Sequence, residues 1–255
     1  MNPIITLPVR EHINGYLRSS LDACGYPWLP VYGSSDLPRV RSVLLTKALA
    51  GGYDRVLCID ADIVADAEDI RRLAEHPRLS DTGAVTGLYA VRSGEAWACK
   101  AADEIVWADG CRRAEFAGLG FAAISTASLQ RVSRHLQVLE DPDIGAWWPF
   151  CVPYIGTRDG KAEYCPDDVS LWRRLEKHGV QLWADTSLIV GHQALVTLRS
   201  PVDKAKTQVL PHLDLLRTEV DHARQRGGVH VPHLNAQLDR AHPAAQLLGH
   251  VNEVA

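Results

Sequence analysis

The chain has no apolar run that approaches the roughly 20 residues needed by a membrane-spanning helix. The segment from Met1 to Thr6 also lacks a basic stretch followed by an apolar one, so it predicts a strand and not a secretory signal. Neither sign of charge dominates, because 27 basic and 31 acidic side chains leave a net charge of −4. This balance argues against non-specific binding to nucleic acid or to an anionic membrane as the main activity.

Paired cysteines and several common catalytic motifs are also missing. The six cysteines form no Cys-x-x-Cys pair, so a zinc site built from cysteine pairs has no support. No GxGxxG, GxxxxGK[ST], HExxH or GxSxG segment occurs, which leaves dinucleotide-binding, P-loop, zincin and serine-hydrolase functions without their motifs. These absences predict a cytoplasmic protein with reduced thiols and no integral membrane segment.

The composition that is present is typical of an ordered globular protein. Hydrophobic residues make up 46% and charged residues 23% of the 255 residues, a length that fits one large domain with an appendage or two small domains. Histidine is concentrated near the end, since six of the 11 histidines follow residue 200. Apolar side chains at helical spacing also occur there, from Val209 to Val220. We therefore predict a main domain over 1–200 and a histidine-rich helical C-terminal extension over 201–255.

Apolar runs and helical patterns alternate in the first part of the chain. Strands are predicted over residues 3–9, 28–32, 55–59 and 83–87, and helices over 11–22, 38–50 and 67–76. This alternation predicts a parallel α/β sheet. Further along, a helix is predicted over 167–178, followed by two short strands over 180–183 and 187–190.

Two carboxylates directly follow the apolar strand 55–59. Ligands of parallel sheets bind above the carboxyl ends of the strands, and residues two apart in an extended segment point the same way. Asp60 and Asp62 therefore suit a hard divalent cation, which could bridge to a diphosphate. The alternative for this common pattern is a polar strand exit whose aspartates cap a helix.

Three other segments carry polar or glycine residues in an informative order. A glycine-rich turn spans Gly118 to Gly120, Asp167 and Asp168 open a predicted helix, and His192 ends an apolar segment. Each has an ordinary structural explanation as well. Acids in the first turn of a helix gain about 0.3–1 kcal/mol from its dipole, and a lone histidine is often a satisfied structural residue.

Taken together, these four segments resemble the GT-A class of nucleotide-sugar glycosyltransferases, particularly its large inverting family, over residues 3–195. The resemblance implies a Rossmann-like, mixed, mainly parallel sheet flanked by helices. It also implies that Asp60 and Asp62 bind Mn²⁺ or Mg²⁺ and that His192 completes the metal site. Asp168 matches the catalytic base. Asp167 stands where the family usually has a glutamate, which shortens a side chain on the acceptor side.

The same resemblance implies contacts with a UDP- or GDP-sugar and with an acceptor. The nucleotide contacts would come from Pro8, Arg10, Asp36, Arg41 and Ala61. Arg39 also opens the predicted helix, but Arg41 matches the family's arginine better. The acceptor contacts would come from Gly118, Leu119, Gly120, Asp167 and Trp148. Trp147, Trp148 and Phe150 together predict either a wall on which a sugar stacks or a part of the core.

The sequence thus predicts a metal-dependent glycosyltransferase that moves a sugar to an acceptor hydroxyl, and the resemblance implies an inverting mechanism. Two alternatives are a sugar-phosphate nucleotidyltransferase and a non-catalytic protein that binds nucleotides or sugars. The first usually has a glycine-rich basic loop after its first strand, and Leu7 to Arg10 contain no glycine. The acceptor stays open among glycans, small molecules, lipids, proteins and modified nucleobases. The extension is expected to pack on the main domain, cover the acceptor site or pair subunits into a homo-oligomer.

Overall fold

The centre of the fold is an eight-stranded mixed sheet, seen in a computed structural model that describes residues 1–80, 83–91, 96–101 and 110–193. In chain order the strands are β1 Pro3–Val9, β2 Trp28–Tyr32, β3 Arg55–Ile59, β4 Ile63–Val64, β5 Gly83–Leu88, β6 Cys99–Ala101, β7 Cys111–Ala117, β8 Phe121–Ser125, β9 Leu139–Asp141, β10 Gly145–Trp147, β11 Tyr154–Arg158, β12 Lys161–Cys165, β13 Gln181–Ile189 and β14 Gly191–His192. The helices are α1 Gly15–Cys24, α2 Leu37–Ala50, α3 Ala67–Ala74, α4 Thr126–Ser133 and α5 Asp167–Lys177. The predicted helical extension, 201–255, lies outside the described residues.

The central sheet has the strand order β2-β1-β3-β8-β5-β13-β7-β6. Strand β1 runs parallel to β2 and β3, and β5 runs parallel to β13, whereas β8 and β7 are antiparallel to their neighbours. Six of the eight strands therefore point the same way. The predicted mixed, mainly parallel sheet flanked by helices is confirmed. As a result, β1, β3, β5 and β13 all end at one edge of the sheet.

The central strands are apolar at almost every position because helices cover both faces of the sheet. Along β3, Val56 and Cys58 belong to one buried cluster, and Leu57 and Ile59 belong to another. The first cluster takes its helical residues from α2, α4 and α5, and the second takes them from α1 and α3. Side chains alternate between the two faces of a strand, so both faces must be apolar when both are covered. No helix among the described residues is long and apolar enough to cross a membrane.

Two predicted elements near the site differ from the observed ones. The predicted helix 11–22 begins only at Gly15, because the Asn14 side chain accepts a hydrogen bond of 2.8 Å from Tyr16 N and so caps the helix. The predicted strands 180–183 and 187–190 form one strand, β13, with an irregular register against β5. The polar residues between them stay in the strand because Asp185 accepts hydrogen bonds from Ser187 N and Oγ at 2.9 and 2.7 Å.

A pair of matched substitutions tests this assignment of the core. Ile124 in β8 is 0% exposed and Ile155 in β11 is 76% exposed. We expect Ile124→Val to lower the free energy of unfolding by about 0.5–1.5 kcal/mol, because it removes a buried methylene group. Ile155→Val should change it by less than about 0.5 kcal/mol. Urea unfolding followed by tryptophan fluorescence measures both, and equal losses would contradict the layered core described above.

Candidate active site

The predicted metal-binding segment forms a tight turn at the edge of the sheet where β1 and β3 end. Asp60 N donates to Gly120 O at 2.9 Å, and Ile63 N donates back to Asp60 O at 3.1 Å. The segment is therefore a turn and not the extended stretch expected from the sequence, since β3 stops at Ile59. This turn lets the carboxylates of Asp60 and Asp62 take different partners.

Backbone hydrogen bonds hold the rest of this turn against two distant segments. Ala61 O accepts from Asn14 N at 3.0 Å, and Asp62 O accepts from Gln193 N at 2.8 Å. The side chains of Asn14 and Gln193 also bond each other, at 3.0 Å. The start of α1 and the residue after β14 thus position the turn from two sides, which the sequence pattern did not indicate.

Arg41 connects the two predicted acidic segments. It projects from α2, and its Nη2 donates to both carboxylate oxygens of Asp60, at 2.8 Å each. Its Nη1 donates to Asp167. The arginine side chain is only 9% exposed. Burial by itself would lower the pKa of Arg41, but the carboxylates of Asp60 and Asp167 raise it above its ordinary value, so the guanidinium stays charged.

Asp167 and Asp168 occupy the first turn of α5, where acids interact favourably with the helix dipole. Asp168 Oδ1 accepts a hydrogen bond of 2.8 Å from Val169 N. Burial and, next, the charge of Asp167 raise the pKa of Asp168 above its ordinary value, against smaller opposing effects of Val169 N–H and Arg41. A carboxylate with a raised pKa accepts a proton more readily, which suits a general base.

His192 reaches the predicted metal-binding segment because β14 pairs antiparallel with β4, opposite Ile63. Its Nδ1 lies 2.8 Å from Ala90 O, and its Nε2 lies 3.3 Å from Asp62 Oδ2. A carbonyl oxygen can only accept, so Nδ1 carries a proton. In the neutral imidazole, Nε2 then directs a lone pair toward the Asp62 carboxylate. Two electron-rich atoms this close need a proton or a cation between them.

This donor set fits an open metal site in which a substrate supplies further oxygen ligands. Among the described residues, no group of three or more His, Cys, Asp or Glu side chains is arranged to hold a metal ion. Mg²⁺ sites on phosphate substrates often need only one or two carboxylates. A ligating histidine typically donates its other N–H to a carbonyl, as His192 does to Ala90. The pair of Asp62 and His192 has these properties.

Tyr89 is a residue of this edge that the sequence analysis missed. Its hydroxyl accepts a hydrogen bond of 2.9 Å from Gly120 N, and its ring meets the His192 ring edge-on at 5.4 Å. A Cβ atom on Gly118 or Gly120 would lie 2.2 or 2.7 Å from the Tyr89 hydroxyl oxygen. These glycines are therefore required by packing against Tyr89. The signal that could have found Tyr89 is its place after a predicted strand that ends at the same edge.

The remaining predicted acceptor residues are only partly accessible. Leu119 is buried in the core, so a ligand could meet its backbone but not its side chain. Trp147 and Phe150 are buried as well, so the stacking-wall alternative is wrong for these two and the core alternative is right. Trp148 is half-buried, with its ring 6.2 Å from that of Phe150.

Of the predicted nucleotide residues other than Arg41, Pro8 and Arg10 lie at the end of β1, Asp36 lies at the start of α2, and Ala61 lies in the turn after β3. Pro8 pairs with Val31 of β2, and Arg10 is exposed just beyond the end of β1. Asp36 caps α2 by accepting a hydrogen bond of 3.2 Å from Arg39 N. The Arg39 side chain bonds Asp141 of β9, so it does not share the carboxylates that Arg41 binds.

No family model matches the chain, and no curated protein matches it either. Among solved structures, the chain is similar to protein A197 from STIV, with a TM-score of 0.49 and 15% identity over 78% of this chain and 98% of that one. It is also similar to GalNAc-T7, a structure containing UDP, GalNAc and Mn²⁺, with a TM-score of 0.41 and 11% identity over 74% of this chain and 43% of that one. These are likenesses in the path of the chain alone.

The packing of the glycine turn against Tyr89 can be tested by combined substitution. We expect Gly118→Ala to destabilise the protein by about 1–3 kcal/mol, because the added methyl group overlaps the Tyr89 hydroxyl. Adding Tyr89→Phe removes that hydroxyl, so the double variant should lose less than the sum of the two single losses. Thermal unfolding measures all three variants.

Gly15→Ala is the matched control, since a Cβ at Gly15 would meet nothing within 4 Å. It should leave stability unchanged or raise it slightly, because alanine favours the helix. Strictly additive losses for Gly118→Ala and Tyr89→Phe would show that the glycine is required for another reason.

Proposed function

We propose that the chain is a metal-dependent glycosyltransferase that moves a sugar from a UDP- or GDP-sugar to an acceptor hydroxyl with inversion. The observation that carries this proposal is the ion-pair bridge from Asp60 through Arg41 to Asp167. The bridge connects Asp60, whose carboxylate suits the donor side of such a reaction, to Asp167. Asp167 precedes Asp168, whose raised pKa suits a general base. Glycosyl transfer requires two kinds of carboxylate close together. One binds the metal that stabilises the diphosphate, and the other removes the proton from the acceptor.

In this proposal Asp62 and His192 would hold Mn²⁺ or Mg²⁺ as a pair, and Asp60 would add its carboxylate as a third ligand when the metal is bound. Arg41 uses one hydrogen-bonding position on each oxygen of Asp60, and each carboxylate oxygen has a second lone pair left for a metal. The imidazole nitrogen of His192 favours Mn²⁺ over Mg²⁺, which prefers oxygen ligands. When bound, the metal supplies Lewis-acid stabilisation of the charge on the departing diphosphate.

The donor nucleotide would lie along the edge where β1 ends, against Pro8, Arg10, Asp36 and Ala61. Arg10 is exposed there, and a guanidinium suits hydrogen bonding to phosphate oxygens. The acceptor would approach from the side of Asp167 and Asp168, with Trp148 and the backbone of the turn 118–120 as further contacts. Arg41 makes a different contribution, because its two terminal nitrogens are bonded to carboxylates.

Asp168 removes the proton from the acceptor hydroxyl in this mechanism. The hydroxyl oxygen then attacks the anomeric carbon from the side opposite the diphosphate, and the bond from that carbon to the diphosphate oxygen breaks. The products are the glycosylated acceptor, the nucleoside diphosphate and one proton held by Asp168. Attack from the opposite side inverts the configuration of the anomeric carbon.

Nucleotide binding should depend on the metal and on Asp62. We expect UDP or GDP with Mn²⁺ to raise the free energy of unfolding by about 2.7 kcal/mol at 100 times the dissociation constant. Asp62→Asn should abolish this increase, because it removes the carboxylate that faces His192. A thermal-shift panel of nucleotides with and without Mn²⁺ measures the effect.

Asp22→Asn is the control for that panel, because Asp22 is an exposed residue of α1 that pairs with Arg18. It should keep the full increase. Binding of every nucleotide without metal, or equal binding by Asp62→Asn, would count against the metal site. Release of pyrophosphate from a nucleoside triphosphate and a sugar phosphate would instead identify a nucleotidyltransferase.

Removal of the base should stop turnover without stopping binding. We expect Asp168→Asn to lower the rate of sugar transfer by about 10²–10⁴-fold, which is the usual contribution of a general base. The variant should keep the Mn²⁺-dependent nucleotide binding. In the wild type the rate should fall as the pH drops through the raised pKa of Asp168, since only the carboxylate accepts a proton. Nucleoside diphosphate release, measured by a coupled assay across pH, reports both effects.

Glu176→Gln provides the control on the same helix, because Glu176 is exposed and pairs with Arg173. It should leave the rate and the acid limb of the pH profile unchanged. Full activity of Asp168→Asn would remove Asp168 as the base and favour a retaining mechanism.

A further inference from the structure

Arg41 fixes two carboxylates from distant parts of the chain relative to each other. One terminal nitrogen bonds both oxygens of Asp60 and the other bonds Asp167. The guanidinium is planar and rigid, so its two ends cannot turn independently. A change in the position of one carboxylate is therefore transmitted to the other.

The helix that carries Arg41 is itself anchored. Ser42 Oγ accepts a hydrogen bond of 2.9 Å from Cys151 N, and Thr46 Oγ1 accepts one of 3.1 Å from Trp148 N. These bonds tie α2 to the segment that leads from β10 toward β11. The backbone of Arg41 is thus held in place, and its guanidinium is bonded to both carboxylate partners at once.

We propose that Arg41 is a positioning residue that couples cation binding at Asp60 and Asp62 to the charge at Asp167. The proposal rests on the function proposed above. A divalent cation bound at Asp60 competes with Arg41 for the charge of that carboxylate, which favours a stronger bond from Arg41 to Asp167. Conversely, removing the charge of Asp167 leaves Arg41 bonded to Asp60 alone, which weakens cation binding. Such coupling must act equally in both directions.

Arg173 is a comparable buried arginine that bonds two carboxylates outside the candidate site. Its side chain is 8% exposed, and it bonds Glu163 of β12 at 2.9 Å and Glu176 of α5 at 3.1 Å. Burial and the number of carboxylate partners therefore match those of Arg41. Its partners lie in β12 and near the C-terminal end of α5, and they are not Asp60 or Asp62. Substitutions around Arg173 are the matched controls.

The test is a double-mutant cycle on Mn²⁺ affinity, measured from the free-ion signal in electron paramagnetic resonance. We expect Asp167→Asn to weaken Mn²⁺ binding by about 5-fold or more, the lower end of typical coupling between sites. In an Arg41→Lys background, where the planar fork is lost, the same substitution should have little effect. Glu163→Gln should leave Mn²⁺ affinity unchanged, alone and with Arg173→Lys.

Each outcome decides the proposal. An equal effect of Asp167→Asn with and without Arg41 would indicate direct charge interaction and overturn the coupling, while the proposed function would stand. Absence of Mn²⁺ binding by the wild type, with UDP or GDP also present, would overturn the proposed metal-dependent function and the coupling together. Circular dichroism checks the fold of each variant. If Arg41→Lys does not fold, Arg41→Gln replaces it as the background. Mn²⁺ affinity is then compared between Arg41→Gln alone and Arg41→Gln combined with Asp167→Asn, a pair that removes both charges.

Discussion

The ion pair of Arg41 with Asp60 and Asp167 is the interaction on which the candidate site depends. Asp60, Asp62, Asp167 and Asp168 place four carboxylates near one edge of the sheet, and like charges in a half-buried site repel strongly. Arg41 supplies a buried positive charge between two of them. Losing it would leave uncompensated charges there, which is among the costliest changes in a folded protein.

The second constraint is the backbone group that lies against ring nitrogen Nδ1 of His192 and of His76. His192 Nδ1 meets a carbonyl oxygen, so the lone pair of its neutral ring points toward Asp62. His76 Nδ1 instead accepts a hydrogen bond of 3.1 Å from Arg78 N, so the neutral ring carries its proton on Nε2, toward Asp185. Both histidines lie beside an aspartate, but in the neutral ring only His192 directs a lone pair toward its aspartate. Local backbone geometry thus distinguishes the two pairs of histidine and aspartate.

Much of the fold could be predicted from the sequence because the central strands alternate with helices and are apolar on both faces. The ends of the individual helices and strands were predicted less well. The helix expected from residue 11 begins at Gly15, where Asn14 caps it, and the two strands expected after residue 180 are the single strand β13. Helix caps and internally satisfied polar residues depend on individual hydrogen bonds, which an apolar pattern does not reveal. The tail over 201–255 remains a prediction.

The sequence by itself determined the residue types that the candidate site uses, since Asp60, Asp62, Asp168 and His192 stand at the ends of elements that the apolar pattern marks. Only the tertiary structure decided how they pair. The family resemblance implies a nucleotide contact for Arg41, and the tertiary structure adds that its buried guanidinium bonds Asp60 and Asp167. The resemblance implies acceptor contacts for Gly118 and Gly120, and the tertiary structure adds that packing against Tyr89 requires glycine at both positions. The reason is physical: spacing along the chain fixes which edge a residue reaches, while charge pairing and close approach are settled between segments that meet only on folding.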